Sequence, residues 1–126
     1  MKTLSSLLAI ALLVAGCAGI YSTIITITQV RKDVMNEYGK LYRAGKISPE
    51  LDAKIVKADE NYRLAANQCE RILVAYKTGA ADKSDVAAQI ANVKIMLAVI
   101  LDVLEPYLVE QKSAQLNQQL ATATQL

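Results

Sequence analysis

Leu51, Ile55, Ala58, Tyr62, Ala65, Cys69, Ile72 and Tyr76 recur along the chain at alternating steps of four and three. That spacing gathers all eight side chains on one stripe of an α-helix, whereas a strand alternates every second residue. The stripe is a heptad seam, and a helix with one apolar seam needs another helix to cover it. Its ends are marked as well. Ser48 suits the N-cap, Pro49 the first helical position, and Glu50 and Asp52 the positive end of the helix dipole. Gly79, just after Thr78, is a left-handed stop. The spacing therefore predicts a helix from Pro49 to about Lys77.

A second seam of Val86, Ile90, Val93, Leu97, Ile100 and Leu104 predicts a partner helix from Asp82 or Ser84 to Glu105. Residues 95–101 of that helix, Ile-Met-Leu-Ala-Val-Ile-Leu, are apolar on every side. Such a helix is either central in a bundle or buried against a second chain. Gln89, Asn92, Lys94 and Asp102 weigh against a membrane span there. Pro106 ends or kinks this helix, and the phase of Tyr107, Leu108 and Gln111 favours a kink. Upstream, Ile24, Ile27, Val30, Val34, Leu41 and Tyr42 give a first helix, although residues 22–28 are β-branched and alternate like a strand. With no second strand to pair with, helix is the expected outcome, ending near Gly45.

Together these segments predict an all-α fold. It is an elongated, antiparallel three-helix bundle with heptad-like seams over residues 23–111, its middle helix about 40 Å long at ~1.5 Å per residue. Residues 112–126, rich in Gln, Ala, Thr and Ser, are expected to be a polar tail, fraying or disordered.

The first residues have a different character. Met1-Lys2-Thr3 is a short positive leader, followed by an apolar run that reaches Val14-Ala15-Gly16-Cys17. This is the layout of a secretory signal peptide. The order aliphatic, small, small, Cys resembles the lipobox of bacterial lipoproteins. The resemblance implies removal of residues 1–16 by cleavage between Gly16 and Cys17, and a diacylglycerol in thioether linkage to Cys17. Residues 17–22 would then be a lipidated N-terminus and short tether. A thiolate is the nucleophile this chemistry needs, and two or three acyl chains hold a protein at a bilayer where one holds it only marginally. Ala18, in place of the aspartate that retains such proteins at the inner membrane of enteric-type bacteria, points to the outer membrane's periplasmic face in a Gram-negative host.

Composition narrows the chemistry. Fourteen basic residues face twelve acidic ones, and loss of Lys2 with the leader leaves thirteen. No basic stripe remains for nucleic acid. The chain has no histidine and only one cysteine besides Cys17, which removes the commonest general base and any thiolate metal cluster. No catalytic residue, metal or cofactor is expected, apart from the covalent diacylglycerol and a further N-acyl chain on Cys17. Asp59-Glu60 and the Asp82, Asp85 pair read as solvated or capping acids. Cys69 reads as a buried apolar residue of the seam, and Tyr38, Tyr42, Tyr62 and Tyr76 as filler where the first two helices meet.

The apolar surplus is the stronger sign of a partner. Met96, Leu97, Val99, Ile100 and Leu101 form the candidate interface, either for self-association into a homo-oligomer or for docking on another envelope protein. The resulting expectation is a membrane-anchored structural or adaptor lipoprotein of the cell envelope, and not an enzyme. Two alternatives stand beside it: a phage or prophage lipoprotein in lysis or superinfection exclusion, and an inhibitor of a cell-wall enzyme.

Overall fold

The computed structural model describes residues 2–123, with side chains described from residue 19 onward. The described residues form four α-helices in the order α1 (Lys2–Arg43), α2 (Pro49–Lys77), α3 (Lys83–Leu104) and α4 (Glu110–Thr122). A 3-10 turn, Glu105–Tyr107, joins the last two. Among the described residues there is no strand, so the all-α class read from the seams is the class observed. The expected cleavage between Gly16 and Cys17, the lipidation of Cys17 and the sorting position Ala18 lie outside the described side chains.

Local chemistry sets the helix ends. The Ser48 hydroxyl accepts from the Leu51 amide at 3.1 Å, with Pro49 in the first turn. Asp82 and Asp85 form a reciprocal capping box at the start of α3. Gly45 and Gly79 adopt φ of 71° and 81°, values that a side chain disfavours, and so end α1 and α2. After Gly45 the Lys46 amide closes back on the Leu41 carbonyl at 3.0 Å, which satisfies an acceptor that the helix leaves open.

The β-branched run is helical throughout. Thr23, Thr26 and Thr28 each donate a hydroxyl to the carbonyl four residues earlier, all at 2.9 Å, so the threonines are satisfied without a neighbouring strand. Ile20 is 2% exposed and belongs to the core, so the bundle begins within the stretch expected to be a tether up to residue 22.

Helices α2 and α3 run antiparallel and share the most extensive contact in the molecule, where Ala58 and Ala65 allow close approach. Helix α3 also touches α1 and α4, which makes it the central element. Its Val86, Leu97, Ile100, Leu101 and Leu104 are wholly buried. The reading of a helix that is central because it is apolar all round therefore agrees with the structure.

Two expectations need correcting. The bundle has four helices rather than three, because the segment expected to fray forms α4 and packs against α1. Ser113, Leu116, Leu120 and Ala123 are buried, and their spacing of three, four and three is a short seam hidden among glutamines. Helix α4 is antiparallel to α1: Lys112 approaches Glu37, while Gln119 and Thr122 share a groove with Thr26 and Gln29. Second, Pro106 does not kink a continuing helix. Helix α3 stops at Leu104, the 3-10 turn follows, and Leu108 and Val109 are extended, with ψ of 150° and 135°. Pro106 cannot donate to the carbonyl of Asp102, and the reversal that follows lets α4 cover a flank of α3.

Leu116→Ala should therefore destabilise the bundle by about 2–5 kcal/mol, as for a fully buried leucine. Urea unfolding followed by circular dichroism measures it, and a frayed tail would give a value near zero. Ser48→Ala should cost about 1 kcal/mol by the same measurement.

Candidate functional site

The residues of the expected interface separate by helical phase. Leu97, Ile100 and Leu101 point into the bundle and are 0% exposed. Met96 is half-buried against the core. Val99 is the one exposed member, at 43%, and Ile95 one turn before it is 59% exposed. With Ala88 and Ala91 these two form an outward apolar stripe along α3. The stripe borders a shallow apolar groove between α2 and α3, lined by Ala53, Lys54, Lys57, Asn61, Val99 and Val103. The segment Lys83–Tyr107 is long and apolar enough to cross a membrane, its most apolar 18 residues having a mean hydropathy of 1.8. In this fold much of that apolarity serves contacts with three neighbouring helices.

A polar cluster that sequence reasoning missed lies between α1 and α2. Asp59 was expected to be a solvated or capping acid, yet it is only 6% exposed. Arg31 holds it through Nε at 3.1 Å and Nη2 at 2.8 Å and 3.0 Å. Arg63, one turn along α2, adds a contact of 3.1 Å from its Nε to Oδ2, the oxygen that Arg31 Nη2 also reaches at 3.0 Å. The Arg31 guanidinium also lies 5.2 Å from the centre of the Tyr62 ring. Burial raises the Tyr62 pKa, opposed by the nearby Arg31 charge and reinforced by Asp59 and Cys69. Arg31 joins α1 to α2 through Asp59, whereas Arg63 bonds to Asp59 within α2. The one available signal was position: Asp59 directly follows the seam residue Ala58.

Helices α1 and α2 stand further apart than α2 and α3, and polar bridges span the gap. Tyr38 donates to Asp52 near the first turn, and Lys77 sits 5.0 Å from the centre of the Tyr21 ring at the other end. Between them is a cleft of about 110 Å³, walled by Ile24, Ile27 and Leu73, with Cys69 among its lining residues. Cys69 is a buried free thiol, as the seam implied, and burial first, then Glu70, raises its pKa. A protonated thiol is a poor nucleophile. The four tyrosines do not converge: Tyr38 and Tyr42 are neighbours at 6.1 Å between ring centres, while Tyr62 faces Arg31.

The remaining acids behave as expected. The Ser84 hydroxyl, then the Asp85 amide, hold the Asp82 carboxyl below its usual range, and this is the chemistry of a helix cap. Among the described residues no group of three or more carboxylate, thiol or imidazole side chains is placed to hold a metal ion. The chain matches no protein-family model, no curated protein and no solved structure.

Arg31→Met should destabilise the fold by about 1–3 kcal/mol, because Asp59 stays buried with Arg63 alone, and Asp59→Asn should recover part of that loss in the double variant. The measurement is a double-mutant cycle by urea unfolding. Alkaline pH gives a second test. The native fold favours neutral Cys69 and Tyr62, whose unfolded groups ionise near ~8.5 and ~10. Their contribution is complete below those values and is lost as pH rises through the higher native ones. The thermal midpoint should fall between about pH 8 and pH 11, and Cys69→Ala should make that fall shallower.

Proposed function

We propose that this chain is a membrane-anchored lipoprotein that serves the bacterial cell envelope as a structural or adaptor component, acting by placement and binding. The observation that carries this reading is the order Val14-Ala15-Gly16-Cys17 after an apolar run and a single basic leader residue. A lipidated Cys17 would be the sole cofactor-like group, and the outer membrane's periplasmic face the favoured site in a Gram-negative host.

The fold is compatible with such an anchor. Among the described side chains Ile20 is the first that is buried, three positions after Cys17 in the sequence. An anchor at that position would set the end carrying Tyr21, Lys77 and Lys83 next to the headgroups. Tyrosine and lysine are the side chains that suit this zone. Residues 20–43 of α1 would carry the opposite end roughly 35 Å outward, at ~1.5 Å per residue. That distal end exposes Tyr42, Tyr107 and Val109. Binding is favoured over catalysis because the buried polar groups between α1 and α2 are engaged with one another, while the outer apolar stripe of α3 is open.

Membrane fractionation of the full chain beside Cys17→Ser tests the anchor. The parent should sediment with membranes and take up labelled palmitate, and the variant should lose the label and shift to the soluble fraction. Retention of Cys17→Ser in the membrane without label would refute the lipid anchor.

A further inference from the structure

We infer that a second copy of this chain docks on the outer face of α2 and α3, as a parallel dimer whose two-fold axis runs along the bundle. The inference deepens the binding role above by naming the partner, and its parallel orientation rests on both copies sharing one membrane.

The face has three properties that fit a second copy. First, Ala88, Ile95 and Val99 are exposed at steps of seven and four, a heptad register of its own on the outside of α3. A parallel two-fold axis brings each of these residues against its own equivalent. Second, the edges of the stripe have opposite charge. Lys54 and Lys57 line the groove on the α2 side, beside Val99 and Val103. Asp102 and Glu105 are exposed, and by helical phase they lie on the edge of α3 turned away from α2. Rotation about the parallel axis exchanges the edges, so Lys57 of each copy meets Asp102 of the other, and Lys54 meets Glu105. An isologous contact thus makes each charge pair twice. Third, sizes match across the same axis. Leu64 is 67% exposed, about one turn along α2 from Asn61 in the groove. It would lie against the edge of the other copy that carries Ala91 and Ala98, two small side chains on either side of Lys94.

An antiparallel pair would separate the two N-termini by the length of the bundle. It would also bring Ala88 against Asp102, leaving the equivalents of residue 88 about 20 Å apart at ~1.5 Å per residue. The two geometries are therefore distinguishable by cross-linking.

The experiment uses the full chain in whole cells, fractionated after oxidation, in a Cys69→Ala background, with Ala88→Cys, Val99→Cys and the control Gln118→Cys on the exposed side of α4. Mild oxidation should give a disulfide-linked dimer for Ala88→Cys and Val99→Cys, at least fivefold above both the background and Gln118→Cys. Lys57→Glu should abolish that cross-link, and Lys57→Glu with Asp102→Lys should restore it, with helicity unchanged by circular dichroism. Cross-linking of Ala88→Cys no greater than of Gln118→Cys overturns the parallel dimer, as does failure of the charge exchange to restore it in a chain that keeps its helicity. Fractionation of the same samples separates the two proposals. A cross-linked but soluble chain would refute the anchor and leave the dimer standing, whereas a membrane-bound chain without the cross-link would refute the dimer alone.

Discussion

The all-round apolarity of α3 is the constraint around which the molecule is arranged. A helix of this kind loses free energy on every side left in water, at about 25 cal/mol per Å² of apolar surface. One partner helix covers only one stripe. Helix α2 covers the first through the Ala58 and Ala65 seam, α1 a second, and α4 a third. Recruitment of α4 follows from this demand more than from its own composition. Its few apolar residues, Leu116 and Leu120 foremost, are placed where α1 and α3 leave a gap.

Charge, rather than close backbone contact, ties α1 to α2. The Arg31 and Arg63 guanidiniums converge on buried Asp59, Tyr38 bonds to Asp52, and Lys77 faces Tyr21 at the other end. A buried carboxylate is tolerable only where such partners replace its lost hydration. The pairs also favour one register, since a slide of α1 by a full turn, about 5.4 Å, would carry Arg31 away from Asp59. Space left between these bridges becomes the small cleft that contains Cys69.

The apolar stripe outside α3 and the apolar face inside it have different consequences. Leu97, Ile100 and Leu101 are satisfied within the chain, whereas Ile95 and Val99 are not. The segment of residues 95–101 therefore divides between buried and exposed apolar positions at intervals of one helical turn. The lysine and acid edges that flank the stripe give the exposed half a direction, and the inner half has none.

The sequence by itself determined α2 and α3 as helices, together with the caps and stops at most of their boundaries. The seams of α2 and α3, the Ser48 cap, the capping box at Asp82, and the stops at Gly45 and Gly79 are local features, and local periodicity and hydrogen bonding decide them. The order Val14-Ala15-Gly16-Cys17, on which the proposed anchor rests, is equally local. What only the tertiary structure decided was pairing. The spacing of Ser113, Leu116, Leu120 and Ala123 was present in the sequence, but so short a seam becomes helical burial only when α1 and α3 offer it a groove. Asp59 looks like any surface acid until Arg31, twenty-eight positions away, is brought beside it. Likewise, the exposed face of α3 was defined only once three helices had taken the others, because an apolar run carries no mark of which side its neighbours will occupy.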